Sequence, residues 1–278
     1  DARQYGENAR DCTDHRRRRL MANGAADLIW QLWNAGEVID DLPLDLKPHT
    51  RTEGYAIQAV LEDLSKRPLF GWKIAATSKA GQEHIGVSGP IAGRVLAERA
   101  FEDGADLVFG ENRMRVAEPE FAFRFATALK PRRKKYTLED VLGAVGSLHP
   151  AIEIPDSRFE NFATVGEAQL IADNACAHEF ILGPAAEADW RAIDLSQHKA
   201  TIEAVGGEVH DGIGANVLGD PRDALLWLVQ EVTGLGLTIE AGQVVTTGTC
   251  AEPLDIEPGD EVIADFGALG DANVSFDG

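Results

Sequence analysis

Cysteine is scarce in this chain of 278 residues: only Cys12, Cys176 and Cys250, odd in number and far apart. With no CxxC and no Cys/His cluster, neither a disulfide framework nor a zinc site is suggested, and a reducing, cytoplasmic setting is expected. Positive charge is also short. Lys and Arg total 26 against 46 Asp and Glu, a formal net charge of −20. That balance argues against nucleic acid and against an anionic membrane surface, both of which call for a basic face. A small anionic substrate stays open if a cation is built into its site, because local charge outweighs net charge at short range. No apolar run approaches the roughly 20 residues of a membrane span. The basic stretch Arg16–Arg19 is not followed by the apolar segment of a signal peptide and is read as a solvated helix start.

What is present is a soluble globular composition, 44% hydrophobic and 26% charged. Two amphipathic helical patterns open the chain. "RRLMANGAADLIWQLWNAG" stops at Gly36, and "TEGYAIQAVLEDLSKRP" stops before Pro68. After Pro68 short apolar strands dominate: "LFGWKIAAT" with Lys73, "AIEIPDSRF", "VVTTGT", "DEVIADF" and "ANVSF". Short helices are expected after Ser78, after Thr137 as far as Pro150, and over "PRDALLWLVQEVTGLG". Helices come early, strands cluster late, and no regular βαβ alternation appears. The expectation is an α+β fold, with residues 1–68 a helical part and 69–278 a β-rich part of one compact unit. "GGEVHDGIGANVLG" lacks the strand and helix that a dinucleotide site needs.

The segment "VAEPEF" carries Glu118 and Glu120 one residue apart in apolar surroundings. On a strand both point the same way, with Cα atoms about 6.5–7 Å apart; on a helix they would diverge. Pro119 disfavours a helix interior. Two unpaired buried carboxylates are costly, and a hard divalent cation is the economical remedy. The alternative is an edge strand with both groups in water. Glu153, between Ile152 and Ile154, is a third lone strand acid; it would either complete an open Mg²⁺ or Mn²⁺ site or pair with an arginine such as Arg158.

The segments "GWKIAATS", "EPE", "AIEIPDSRFENF", "ADNA", "GIGANVLGDP" and "VVTTGT" occur in an order that resembles the fumarylacetoacetate hydrolase superfamily. Within it, the chain looks most like the 2-keto-4-pentenoate hydratase / 4-oxalocrotonate decarboxylase family, over roughly residues 50–276. The resemblance implies a mixed β-roll with an N-terminal helical part, and homo-oligomers. It implies that Glu118, Glu120 and Glu153 hold one Mg²⁺ or Mn²⁺, with Lys73 the catalytic lysine, although Ala75 stands where a glycine is usual. Asp173 and Asn174, and Thr247 and Thr249, fall in segments that would brace or contact the substrate. The substrates implied are small 2-hydroxydienoates or their 2-oxoenoate tautomers, from the breakdown of aromatic compounds. The metal would act as a Lewis acid, and Lys73, its pKa lowered beside the cation, would shuttle a proton. Glu83 and His84 resemble the acid–histidine dyad of hydrolytic relatives, yet neighbours on a helix point apart. Cys176 reads as a small buried residue.

Three departures bear on the reaction. "PIAG" puts Ile91 where many hydratases of the family carry an acid. Arg115 stands one position early, with Val116 in its place. The loop before Glu153 is slightly long and contains "KPRRKK". Hydration is the expected activity, with decarboxylation the variant, since "DSRFENF" is similar to the decarboxylases' segment. The reading from another class is a non-catalytic ligand-binding or assembly relative. Such a protein would not need Lys73.

Overall fold

The computed structural model describes residues 2–278, with side chains from residue 16 onward. Helix α1 (Ala2–Ala35) ends at Gly36, whose φ of 66° suits glycine, and α2 (Arg51–Ser65) begins at Thr50, whose side chain accepts from the Glu53 amide. Ala22, Ala25, Ala26 and Ile29 of α1 pack with Ile57 and Leu61 of α2, and the same cluster takes in Phe159 and Ala172 from the later part of the chain. Thus the helical part is sealed onto the β-rich part through a shared apolar cluster. No helix among the described residues is long and apolar enough to cross a membrane.

The remaining elements follow in chain order: β1 (Gly71–Ala75), α3 (Lys79–His84), β2 (Ile91–Val95), β3 (Ala100–Glu102), β4 (Ala105–Leu107), β5 (Val116–Phe125), α4 (Leu138–Ala144) and β6 (Val145–Ile154). Then come α5 (Glu167–Ala172), β7 (Glu179–Leu182), β8 (Lys199–Ala204), β9 (Val209–Ile213), α6 (Pro221–Gly234), β10 (Val244–Thr249), β11 (Leu254–Asp255), β12 (Glu261–Asp265) and β13 (Asp271–Phe276). They build a mixed eight-stranded sheet, ordered β2-β1-β10-β5-β6-β7-β3 with β11 beside β5, and a five-stranded sheet, β4-β13-β12-β8-β9. The parallel pairs are β1/β10, β3/β7 and β4/β13; every other pair is antiparallel. The α+β expectation and the mixed β-roll are both met.

Local signals explain most boundaries. Ser78 caps α3 through the Gly81 amide, and Thr137 forms a capping box with Asp140 at α4. One boundary differs from expectation. The helix after Thr137 stops at Ala144 instead of reaching Pro150, and Val145 is already extended. The following ten residues are drawn into the sheet by pairing with β5, where Leu148 meets Phe123 and Ile152 meets Pro119. Burial of Leu148, Ala151, Ile152 and Ile154 outweighs the local helical pattern.

Candidate metal centre

The antiparallel register of β5 and β6 sets Glu118 directly opposite Glu153, with Glu120 two residues further along the same face. One carboxylate oxygen from each of the three lies within 4.8 Å of the others. Glu120 and Glu153 are buried, whereas Glu118 is half-buried and marks the open side. Glu120 Oε2 accepts from Thr246 Oγ1 and, at 2.8 Å, from the Gly248 amide. Glu153 Oε1 pairs with Lys73 Nζ at 3.0 Å. The other oxygens, Glu120 Oε1 and Glu153 Oε2, are buried with no hydrogen-bond partner.

Three carboxylates against one ammonium leave an excess of negative charge in a dry site. Burial, then repulsion from Glu153, lifts the Glu118 carboxyl to about 7, with Lys73 offsetting part of the rise. Burial and the same repulsion push Glu120 well above the carboxylate range. Two orphaned buried oxygens aimed into an acidic cluster are the signature of an absent positive partner. An all-oxygen donor set suits a hard divalent ion. The residues therefore fit the ion that the sequence suggested.

Lys73 sits in the middle of β1, opposite Gly93 of β2. Its Nζ also donates to the Ala175 carbonyl at 2.9 Å. That carbonyl belongs to a tight turn in which Asn174, Ala175 and Cys176 all have positive φ, of 57°, 53° and 60°. Left-handed conformation costs an L-residue roughly 1–2 kcal/mol, so three in succession must be held in place. The clamps are visible. The Asn174 side chain accepts from the Arg94 amide at 2.7 Å and donates to its carbonyl at 2.8 Å. Asp173 pairs with the Arg158 guanidinium and accepts from Ser157 Oγ at 2.6 Å. With the three carboxylates uncompensated by a cation, burial pulls the Lys73 ammonium down but Glu153, Glu118 and Glu120 outweigh it and hold the group above the ordinary lysine value; the lowering expected from the sequence belongs to the ion-bound site. The expectation for Arg158 is corrected: it pairs with Asp173 and not with a carboxylate of the triad.

A cavity of about 840 Å³ opens beside Lys73 and Glu118, lined also by Thr77, His84, Phe162, Cys176 and Thr249 among others. Lys73 is the only lysine or arginine among its described lining residues. Of the four residues expected near substrate, Thr249 lines the cavity. Asp173 and Asn174 do not; they are buried in the clamps behind the Lys73 turn. Thr247 is buried with its hydroxyl donating to the Phe121 carbonyl at 3.0 Å, on the far side of β10 from Thr246. Thr246, which sequence reasoning passed over, is the residue that touches Glu120. Alternation along "VVTTGT" would have separated Thr246 from Thr247, but a register shift between Thr246 and Thr249 hid which of them faces β5's acids.

The lesser candidates also have clear positions. His84 is exposed at the cavity wall, edge-on to Phe162 with ring centroids 6.2 Å apart, while Glu83 faces elsewhere. Ile91 is buried in the core and does not line the cavity. Cys176 does line it, and burial pushes its thiol up to about 12, far from a nucleophile's range. Arg115 lies over the Phe109 ring at 5.1 Å. The basic loop is exposed, with Arg132 paired to Asp140.

No family model matches the chain. The chain is 31% identical over 228 residues to a 2-keto-4-pentenoate hydratase of Burkholderia vietnamiensis, covering 81% of this chain and 86% of that protein. It is 32% identical over 262 residues to 2-keto-4-pentenoate hydratase 1 of Dechloromonas aromatica, covering 92% and 97%. Among solved structures, 4-oxalocrotonate decarboxylase from Pseudomonas putida G7, complexed with magnesium and adipate, superposes with a TM-score of 0.83 at 26% identity, covering 93% of this chain and 98% of that one.

Proposed function

The chain belongs to the 2-keto-4-pentenoate hydratase / 4-oxalocrotonate decarboxylase family of the fumarylacetoacetate hydrolase superfamily, and from that premise we propose that it is a lyase adding water to a short 2-hydroxydienoic acid. The observation that carries the reading is the pair of orphaned buried oxygens on Glu120 and Glu153 beside the Lys73 ammonium. Glu118, Glu120 and Glu153 would hold one Mg²⁺ or Mn²⁺. When bound, that ion supplies Lewis acidity to the substrate's carboxylate and 2-oxygen.

The residues of the chain carry the rest. Lys73 is anchored on one side by Glu153 and on the other by the Ala175 carbonyl, so its remaining N–H faces the cavity. Charged, it holds a proton at Nζ where the conjugated chain must gain one. Thr249 and Thr77 border the same cavity and can orient the acid. Asp173 and Asn174 act at one remove, by fixing the turn that carries Ala175. The protein is also read as a homo-oligomer working in a reducing compartment, a reading supported by the family resemblance and by the free, buried thiols of Cys176 and Cys250.

Decarboxylation is the second reading, favoured by the superposition on the decarboxylase fold. One experiment separates the two. Incubation with Mg²⁺ and 2-hydroxypenta-2,4-dienoate is expected to give 4-hydroxy-2-oxopentanoate by NMR. Loss of CO₂ from 2-oxohex-3-enedioate, with no hydration of the dienoate, would transfer the assignment to the decarboxylases. Inertness toward both would leave a binding protein.

A further inference from the structure

The walls of the Lys73 cavity differ in character from its floor. Glu120, at the inner end of the triad, is fully buried, and Glu118, two residues toward the start of β5, is half-buried. Val116 lies two residues further on the same face, roughly 7 Å along the strand, so the site opens in that direction. At that point β11 pairs with β5, and Asp255 sits directly opposite Val116. Directly opposed residues share a face, and both line the cavity. Asp255 and its neighbour Glu252 are exposed; Glu252 also borders the groove that Lys79 lines, and His210 Nδ1 lies 3.0 Å from its carbonyl oxygen. Ile85, Met114 and Phe162 line the same cavity and give it apolar wall.

From this placement we infer that the cavity selects a 2-hydroxydienoic or 2-oxoenoic acid whose far end is uncharged and apolar, and that Asp255, with Glu252, excludes a second carboxylate. The inference rests on the lyase reading above, which puts the acid's first carboxylate at the triad. With C1 and C2 held there, the tail must leave past Val116 and Asp255. A terminal carboxylate on that path meets Asp255 first, then Glu252, with no lysine or arginine lining that end of the cavity. An alkyl or alkenyl tail meets the apolar wall instead. The volume agrees: about 840 Å³ is in the range that encloses drug-sized ligands, so a five-carbon acid leaves most of it unfilled. Lys79 is the cation that could compete on this side. It lines an adjoining groove with Asn216 and Gly219, not the cavity itself.

Binding of inert analogues tests this without turnover. Calorimetry with Mg²⁺ at pH 8 compares 2-oxohexanoate with 2-oxohexanedioate. The monoacid is expected to bind about tenfold more tightly, and the gap to narrow as salt is raised. The Asp255→Asn, Glu252→Gln double variant should bring the diacid close to the monoacid while leaving monoacid affinity unchanged. A diacid that binds as well as the monoacid in the native protein would overturn the inference. So would a diacid advantage that disappears in Lys79→Ala, which would place the tail in the adjoining groove. If neither acid binds with Mg²⁺ present, the lyase reading fails first and takes this inference with it.

Discussion

Glu120 has one oxygen satisfied by Thr246 and Gly248 and the other satisfied by nothing, while two further carboxylates stand within 4.8 Å. Without a cation such a residue costs the fold more than it contributes. Glu120→Gln should therefore raise the melting temperature of the metal-free protein. The same change should abolish the rise in melting temperature expected when Mg²⁺ is added to the native protein, which reflects a stabilisation of about 2.7 kcal/mol when the ion is at 100 times its Kd. Scanning calorimetry with EDTA and with Mg²⁺ reads both effects; a variant that kept the full Mg²⁺ shift would remove Glu120 from the ligand set. Lys73 answers to a different measurement. Lys73→Met should spare Mg²⁺ affinity, since the carboxylates carry the ion, yet lower kcat roughly 10²–10⁴-fold with kcat/KM falling in step. Native kcat in that variant would show that the proton travels elsewhere. The acids stood out in sequence as charges on apolar strands, where period-two alternation puts Glu118 and Glu120 on one face, while their grouping with Lys73 was legible through the family resemblance. Thr246 was not. Its role depends on a shifted register in β10 and on β10 lying next to β5, where Glu120 is 126 residues away in the chain and no local pattern announces it.

At the scale of elements, the site depends on how closely β2 approaches the left-handed turn at Asn174–Cys176. A Cβ added at Gly93 would stand 2.4 Å from the Asn174 carbonyl oxygen and 2.9 Å from Lys73 Cγ. The first of these is backbone and cannot swing aside. Gly93→Ala should thus force strand and turn apart, at about 1–3 kcal/mol, and move the Ala175 carbonyl from Lys73 Nζ. Urea titration is expected to show a lower midpoint at unchanged slope, with turnover reduced more than Mg²⁺ affinity. Equal stability of the two proteins would mean that the turn is more yielding than its three positive φ angles imply. Elements bounded by their own signals were readable from sequence: Gly36 after α1, Ser78 before α3, Thr137 before α4. The first half of β6 was not, because the residues from Val145 to Pro150 become a strand only through β5 and the rest of the sheet beside them. The turn itself could not have been foreseen either. Asn, Ala and Cys in succession carry no left-handed preference beyond that of Asn, and the clamps that impose it come from Arg94 and Arg158.

The assembly and the acid stability of the whole molecule remain open to direct measurement. Short strands at the edges of both sheets leave backbone groups to be covered, as do the exposed Val205 and Val209 around the β8–β9 turn. A particle larger than the 30.0 kDa chain is expected by light scattering at micromolar concentration; a monomer there would refute the oligomer. The second measurement concerns the seam between α1 and the β-rich part. Trp33 of α1 donates its indole N–H to His178 Nδ1 at 2.8 Å, and the Arg158 guanidinium lies over the Trp33 ring at 4.4 Å. Burial, then the nearby charges of Arg99 and Arg158, lower the His178 pKa to about 3, so the ring is neutral in the folded protein. In the unfolded chain it titrates near 6.5. Between these values the unfolded state binds the extra proton, so stability rises with pH across the window. This contribution is fully present above pH 6.5 and is lost as pH falls toward 3, at no more than about 1.4 kcal/mol per pH unit. Neighbouring carboxylates titrate in part of the same range, so the comparison must be with a variant lacking only the ring. Asparagine at 178 can place an oxygen near the Nδ1 position and still accept from Trp33. Urea unfolding of the native protein and His178→Asn from pH 7 to pH 4 should give parallel stabilities at the top of the range. Below pH 6 the native protein should lose stability faster. Curves that stay parallel throughout would mean that the ring admits a proton without opening the seam.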